Sequence, residues 1–314
     1  MPKTKTLLLN LALMFITIVF VLLFLEIFFR FYFGSNLSYE FTDNTWLLNA
    51  NQEGIPYPNG NVATINKLGS RGEYDSTKNS ILFLGDSFTF GYGLKDNETL
   101  NYQIKTILSE NYACNLETIN AGVPAYGVSQ MIQLYDLKYQ DDSSEFVVLN
   151  IIETDILRQN DDSNFARKSF AKKLISYSSF LSFMKPRLEI FRQLITNEED
   201  SFDNHFEEYL LKDQQRILDF NNQLNEDGKT LILHIWTYGK EKTNFYKTMN
   251  DFSTDNNIII LDDNFDEVFM YYYGDVYELY LEDGHPSNIQ TSRLAATMSA
   301  ELYPYIEGEC NGKQ

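Results

Sequence analysis

Five short runs of strand character, Ile81–Leu84, Leu116–Asn120, Phe146–Ile152, Thr230–Trp236 and Asn257–Leu261, alternate with stretches of helical period at Thr99–Asn111, Ser129–Tyr139, Phe206–Asn225 and Ile289–Leu302. A strand that is apolar along its length has no face to turn to water and must be covered on both sides. Such strands alternating with helices predict an α/β domain: a doubly wound, mainly parallel five-stranded sheet with helices on both faces. Ligands of such sheets sit beyond the carboxyl ends of the strands, and Ser87, Gly122 and Thr154 all fall there.

The first run leads straight into Gly85-Asp86-Ser87, after which small or polar residues open a helix. A serine at a strand-to-helix corner lies beside backbone N–H groups with no partner in the helix. Those groups can stabilise a deprotonating hydroxyl and a tetrahedral oxyanion, which makes Ser87 a candidate nucleophile. Gly-Asp-Ser also makes good turns, and Asp86 or Ser87 can serve as a helix cap or buttress.

Three segments together resemble the SGNH, or GDSL, hydrolases: Ile81–Ser87, then Ile119-Asn120-Ala121-Gly122-Val123-Pro124-Ala125-Tyr126-Gly127, then Glu282-Asp283-Gly284-His285-Pro286-Ser287-Asn288. Their order fits, as does the span of about two hundred residues from serine to histidine. The lead-in Asn66–Gly72 is similar to membrane-anchored bacterial members. The resemblance covers residues 60–305 and implies a flavodoxin-like SGNH hydrolase fold. It further implies a serine esterase in which Ser87 is the nucleophile, His285 the base and Asp283 the acid, with Glu282 as backup. The implied oxyanion donors are the N–H groups of Ser87 and Gly122. In an extended loop, residues two apart point the same way, so Asp283 can reach His285 Nδ1. His234 reads as a hydrogen-bonded core residue of a strand and His205 as a surface residue.

One segment departs from the pattern. After Phe146–Ile152 the family places an Asn-Asp pair whose asparagine donates to the oxyanion; here the pair is Thr154-Asp155. Threonine offers one hydroxyl on a shorter, stiffer side chain. Loss of one oxyanion donor costs about 2.7–4 kcal/mol of transition-state stabilisation. Asn150 lies roughly 13 Å back along the strand and cannot substitute. Thr154 is therefore a weaker third donor, or else the fold persists as a catalytically silent, membrane-tethered envelope scaffold.

The formal charge of −19 over 314 residues excludes a nucleic-acid partner, which needs a basic face. Three histidines and two cysteines in no metal-ligand spacing predict no metal and no cofactor. Cys114 and Cys310 can form a disulfide in an exported domain or remain two thiols. Leu7–Leu25 is long and apolar enough to span a bilayer; Lys3 and Lys5 precede it, and bulky aromatics follow in place of a small-residue cleavage site. Residues 1–30 thus read as an uncleaved signal anchor, with the rest on the extracytoplasmic side of a cell membrane. Residues 31–78 read as a juxtamembrane arm and 79–310 as the hydrolase domain, with a helical insertion at about 157–205. Within the insertion, residues 164–194 carry seven basic residues against Glu189 alone, interleaved with aromatics. Such a stretch suits a lid resting on anionic headgroups, a binder of an acidic polymer, or an ordinary helical insertion. The expected substrate is an O-acyl ester, favoured as O-acetyl groups of cell-surface glycans; acyl transfer and lipid hydrolysis suit the same site.

Overall fold

The computed structural model describes residues 2–33, 37–42, 45–57, 59–75, 77–158, 178, 180, 181, 205–236, 243–261, 280, 281 and 284–310. The sheet consists of β5 (Ser80–Gly85), β6 (Glu117–Gly122), β7 (Phe146–Ile151), β8 (Thr230–Ile235) and β9 (Ile259–Leu261). All neighbours pair in parallel, in the order β6-β5-β7-β8-β9. In order of appearance this is 2-1-3-4-5, the flavodoxin-like doubly wound arrangement, whose switch point lies between the first and third strands. Here those strands are β5 and β7.

Period-two alternation along each strand feeds two cores. Leu82, Leu84, Val147, Leu149, Leu231 and Leu233 face one side and pack with α4 (Val128–Lys138), α5 (Phe206–Glu226) and α6 (Asn244–Asp255). Ile81, Phe83, Val148 and Ile232 face the other and pack with α3 (Leu100–Tyr112) and α7 (Asn288–Cys310). Helix α7 runs further than its sequence period suggested, because Met298, Leu302 and Ile306 continue one buried stripe past Pro304. The expected helix after the Gly85 corner, α2 (Ser87–Phe90), is a single turn, ended by Gly91 in the left-handed region at φ 74°.

Residues 37–72 form two antiparallel hairpins, β1–β2 (Tyr39–Phe41, Trp46–Leu48) and β3–β4 (Gln52–Pro56, Val62–Ile65). Trp46, Leu48, Ile55 and Ile65 join the first core, so this polar-looking segment is part of the domain. Arg71, nearly inaccessible to solvent, donates to the carbonyls of Phe90 (2.8 Å), Gly91 and Leu94 and pairs with Asp96 at 3.1 Å. It thereby holds the end of α2.

Helix α1 (Pro2–Phe33) contains Leu7–Phe28, an apolar stretch of 22 residues with mean hydropathy 2.9 and no buried residue among those described. At 1.5 Å per residue it is about 33 Å long, sufficient for a hydrocarbon layer of about 30 Å. Near its end, Glu26 Oε2 accepts from Ser178 Oγ at 2.7 Å and from the Phe180 N–H at 3.3 Å. Apart from Ser178, Phe180 and Leu181, the basic aromatic stretch 164–194 lies outside the described residues.

Cys114 and Cys310 are joined in a disulfide across 196 residues of sequence. It ties the chain just after α3 to the end of α7. Closing so long a loop removes roughly 5 kcal/mol of unfolded-state freedom in the chain-entropy account, an upper figure. Replacing both cysteines by alanine is expected to lower the thermal midpoint by about 10 °C. Circular dichroism melts of the oxidised protein check this, and an unchanged midpoint would refute it.

Candidate active site

The site is built where β5 ends. Asp86, in a non-helical conformation, accepts the Phe88 N–H at 2.8 Å through Oδ1 and so caps α2. Two register-paired glycines let α2 lie directly on the strand ends. A Cβ on Gly85 would meet Thr89 Oγ1 at 2.0 Å, and one on Gly122 would meet the Phe90 nitrogen at 2.2 Å. No side chain fits at either position.

The structure brings Ser87 and His285 together: Ser87 Oγ lies 2.9 Å from His285 Nε2. The histidine follows Gly284, at φ 84°, in a tight loop in which the Leu281 N–H donates to the His285 carbonyl at 2.7 Å. Tyr92 and Phe88 flank the imidazole, with ring centroids 4.9 and 5.5 Å away. Asp283 and its backup Glu282 lie outside the described residues.

The groups expected as oxyanion donors differ in their surroundings. The Ser87 N–H has no acceptor among the described residues. Gly122 does not match expectation: its N–H donates to the Asn120 carboxamide oxygen at 3.1 Å and is not presented to a ligand. Asn120 Nδ2 in turn donates to the Thr89 carbonyl at 2.9 Å and to Asn101 Oδ1 at 2.8 Å, which binds β6 to α2 and α3. Gly122 is thus required for close packing of α2. In the loop that follows, Val123 donates to the Gly85 carbonyl, Tyr126 to the Val123 carbonyl and Gly127 to Gln130 Oε1. The Ala125 N–H has no acceptor among the described residues, and Ala125 is exposed at φ 69°, a backbone region unusual for alanine. Thr154 sits half-buried in the 3-10 turn Glu153–Asp155 beyond β7, and no partner takes its hydroxyl among the described residues.

Beneath Ser87 lies a charged cluster that carried no local sequence signal. Arg158 Nη1 contacts Asp86 Oδ2 at 2.9 Å, Asp155 Oδ1 at 2.7 Å and the Tyr126 carbonyl at 3.0 Å. Asp155 Oδ2 accepts the Ile152 N–H at 3.0 Å. Burial pushes the Asp155 carboxyl well above the usual carboxylate range; the Asp86 charge raises it further, and Arg158 opposes both. Two of the partners of Arg158 lie 72 and 32 residues away in sequence, so only the folded chain assembles the cluster.

His234 is fully buried in β8 and lies 2.9 Å through Nδ1 from Asn150 Oδ1; because that oxygen only accepts, Nδ1 carries the proton. Burial pushes its pKa down to about 3. Asn150 faces this histidine. His205 is exposed at the start of α5.

No family model matches the chain, and no curated protein matches it. Among solved structures the chain is similar to TesA, at 13% identity, covering 72% of this chain and 98% of that one with a TM-score of 0.46. It is also similar to a psychrotrophic esterase EstA from Pseudoalteromonas sp., at 14% identity over 73% of this chain and 99% of that one, TM-score 0.46. A lipase/acylhydrolase from Enterococcus faecalis is 16% identical over 75% and 99%, again with a TM-score of 0.46. At that level the functional assignment rests on the side chains themselves.

The neutral, buried His234 has a consequence for acid stability. Its folded pKa lies below the unfolded value, so its contribution is complete above about pH 6.5 and declines toward pH 3 by roughly 1.4 kcal/mol per unit. In the folded protein its ring signals are expected to stay constant from pH 8 down to pH 5 by NMR. A ring titrating near pH 6.5 would refute this.

Proposed function

We propose that this chain is a serine ester hydrolase of the SGNH type, held at a membrane by its N-terminal helix. The observation that carries the reading is the 2.9 Å approach of Ser87 Oγ and His285 Nε2 at the carboxyl edge of the sheet. Residues 198 positions apart meet there with hydrogen-bond geometry suited to a nucleophile and its base.

In this mechanism Ser87 Oγ attacks the acyl carbon while His285 Nε2 takes its proton. The negative charge that develops on the carbonyl oxygen is met by the Ser87 N–H, the Ala125 N–H in place of Gly122, and the Thr154 hydroxyl. Protonated His285 then gives its proton to the leaving alcohol, and a water deprotonated by the same imidazole releases the acyl group. Asp283, with Glu282 as the backup, serves as the carboxylate that holds the imidazole tautomer. The substrate is an O-acyl ester, favoured as an O-acetyl ester of a surface glycan because the domain would face the envelope.

Two further observations support an exported, anchored enzyme. The exposed apolar stretch Leu7–Phe28 needs a nonaqueous surrounding, and the Cys114–Cys310 disulfide suits an oxidising compartment.

The detergent-solubilised full chain is expected to be labelled by a fluorophosphonate, with labelling abolished in Ser87→Ala and ester turnover reduced at least about a thousandfold. Thr154→Val is expected to slow turnover by about tenfold or more if its hydroxyl donates. Folded wild-type protein that neither labels nor cleaves short acyl esters would refute the enzyme. Removal of residues 1–30 is expected to shift the protein from the membrane to the soluble fraction; retention on the membrane would refute the anchor.

A further inference from the structure

The Ser87 hydroxyl has one proton and two acceptors within reach. His285 Nε2 lies at 2.9 Å and Asp86 Oδ2 at 3.3 Å. Only the first direction is productive, because a hydroxyl that donates to Asp86 points its O–H away from the base that must take the proton. Asp86 is almost completely buried, so water does not weaken its pull. The competing oxygen, Oδ2, is also the one that Arg158 Nη1 holds at 2.9 Å.

Arg158 is well placed for this. The same nitrogen reaches Asp155 Oδ1 and the Tyr126 carbonyl, so it bridges the three strand ends that surround the serine. Its two protons face three acceptors, so one is shared, and the arrangement fixes the nitrogen in place. The Arg158 carbonyl would lie 2.7 Å from a Cβ on Gly127, so the backbone here is also packed against the loop after β6.

We propose that Arg158 is a positioning residue for the reaction: by engaging Asp86 Oδ2 it withdraws that oxygen as an acceptor and directs the Ser87 proton to His285. It also offsets a buried negative charge that would oppose both the deprotonated serine and the oxyanion. This rests on the Ser87–His285 reading above.

The test measures p-nitrophenyl acetate hydrolysis and fluorophosphonate labelling by the full chain in detergent, with circular dichroism as the check on folding. Arg158→Met is expected to lower kcat about 10- to 100-fold with KM within about twofold. Adding Asp86→Asn to that variant removes the competing charge and keeps a capping oxygen for Phe88, so at least about tenfold of the loss should return. A folded Arg158→Met protein with wild-type kcat overturns the proposal, as does a loss that Asp86→Asn does not recover. If Arg158→Met does not fold, Arg158→Lys keeps the charge but not the three-way contact. Its kcat is then expected to fall about threefold to tenfold and to recover with Asp86→Asn; no recovery overturns the proposal. Wild-type protein that is folded but neither labelled nor active refutes the hydrolase and this inference together. An active wild type with an unresponsive Arg158 refutes this inference alone.

Discussion

The site depends on two glycines that sit side by side in the sheet. Gly85 and Gly122 are register partners at the ends of adjacent parallel strands, and the space a Cβ would need at each is filled by α2. Because glycine leaves that space to the helix, one short helical turn lies on both strand ends, with Ser87 at its start. A methyl group at Gly122 would force the turn away, since the colliding atoms there are backbone, and one at Gly85 would collide with the Thr89 side chain. Asn120 then fastens the arrangement from below through the Thr89 carbonyl, and Arg71 does so from the side through the carbonyls of Phe90, Gly91 and Leu94. The serine is positioned by packing and backbone hydrogen bonds, which keeps its hydroxyl within reach of His285 Nε2.

That close approach creates an electrostatic problem that the fold must resolve. The capping oxygen of Asp86 belongs to a carboxylate beside Ser87, and Asp155 adds a second buried carboxyl nearby. Burial first, and then the Asp86 charge, disfavour the ionised form of Asp155 and raise it well above the usual carboxylate range. A buried charge with no partner is costly, and a single guanidinium between the two offsets both. Arg158 retains partial contact with water, about a third of its side chain, so its own desolvation stays modest.

The parts legible in the sequence were those encoded locally. The strands of the sheet declare themselves because each must be covered on both faces, and the corner at Gly85-Asp86-Ser87 declares itself because only certain residues turn a strand into a helix. Helix α6 escaped notice: Asn244–Asp255 is rich in Asn, Thr, Ser and Asp, poor helix formers, and holds its place through buried Phe245, Tyr246 and Met249. The hairpins of residues 39–65 looked like an arm because their strands are three to five residues long and their apolar partners lie far along the chain. Gly122 was assigned a donor role on the strength of its motif, whereas its N–H direction is decided by the Asn120 side chain two residues before it. Arg158 had no pattern to belong to. Its identity as a partner of Asp86 exists only after β5 and β7 pair.

The distance between Ser87 and His285 is also a property of the second core. Helix α3 follows β5 and the short α2 that Ser87 opens, and α7 begins three residues after His285, so each helix departs from the carboxyl end of the sheet. Leu100, Ile104 and Leu108 on α3 share one cluster with Leu294, Met298, Leu302 and Ile306 on α7. At the far end, the disulfide joins Cys310 to Cys114 just beyond α3. The two helices are therefore held along their shared length by apolar contact and at one end by a covalent bond. Any sliding of α7 against α3 would carry His285 with it and lengthen its 2.9 Å contact with Ser87. Packed side chains resist such sliding because they interdigitate, so the helix pair holds the histidine to the serine from opposite ends of the domain's sequence.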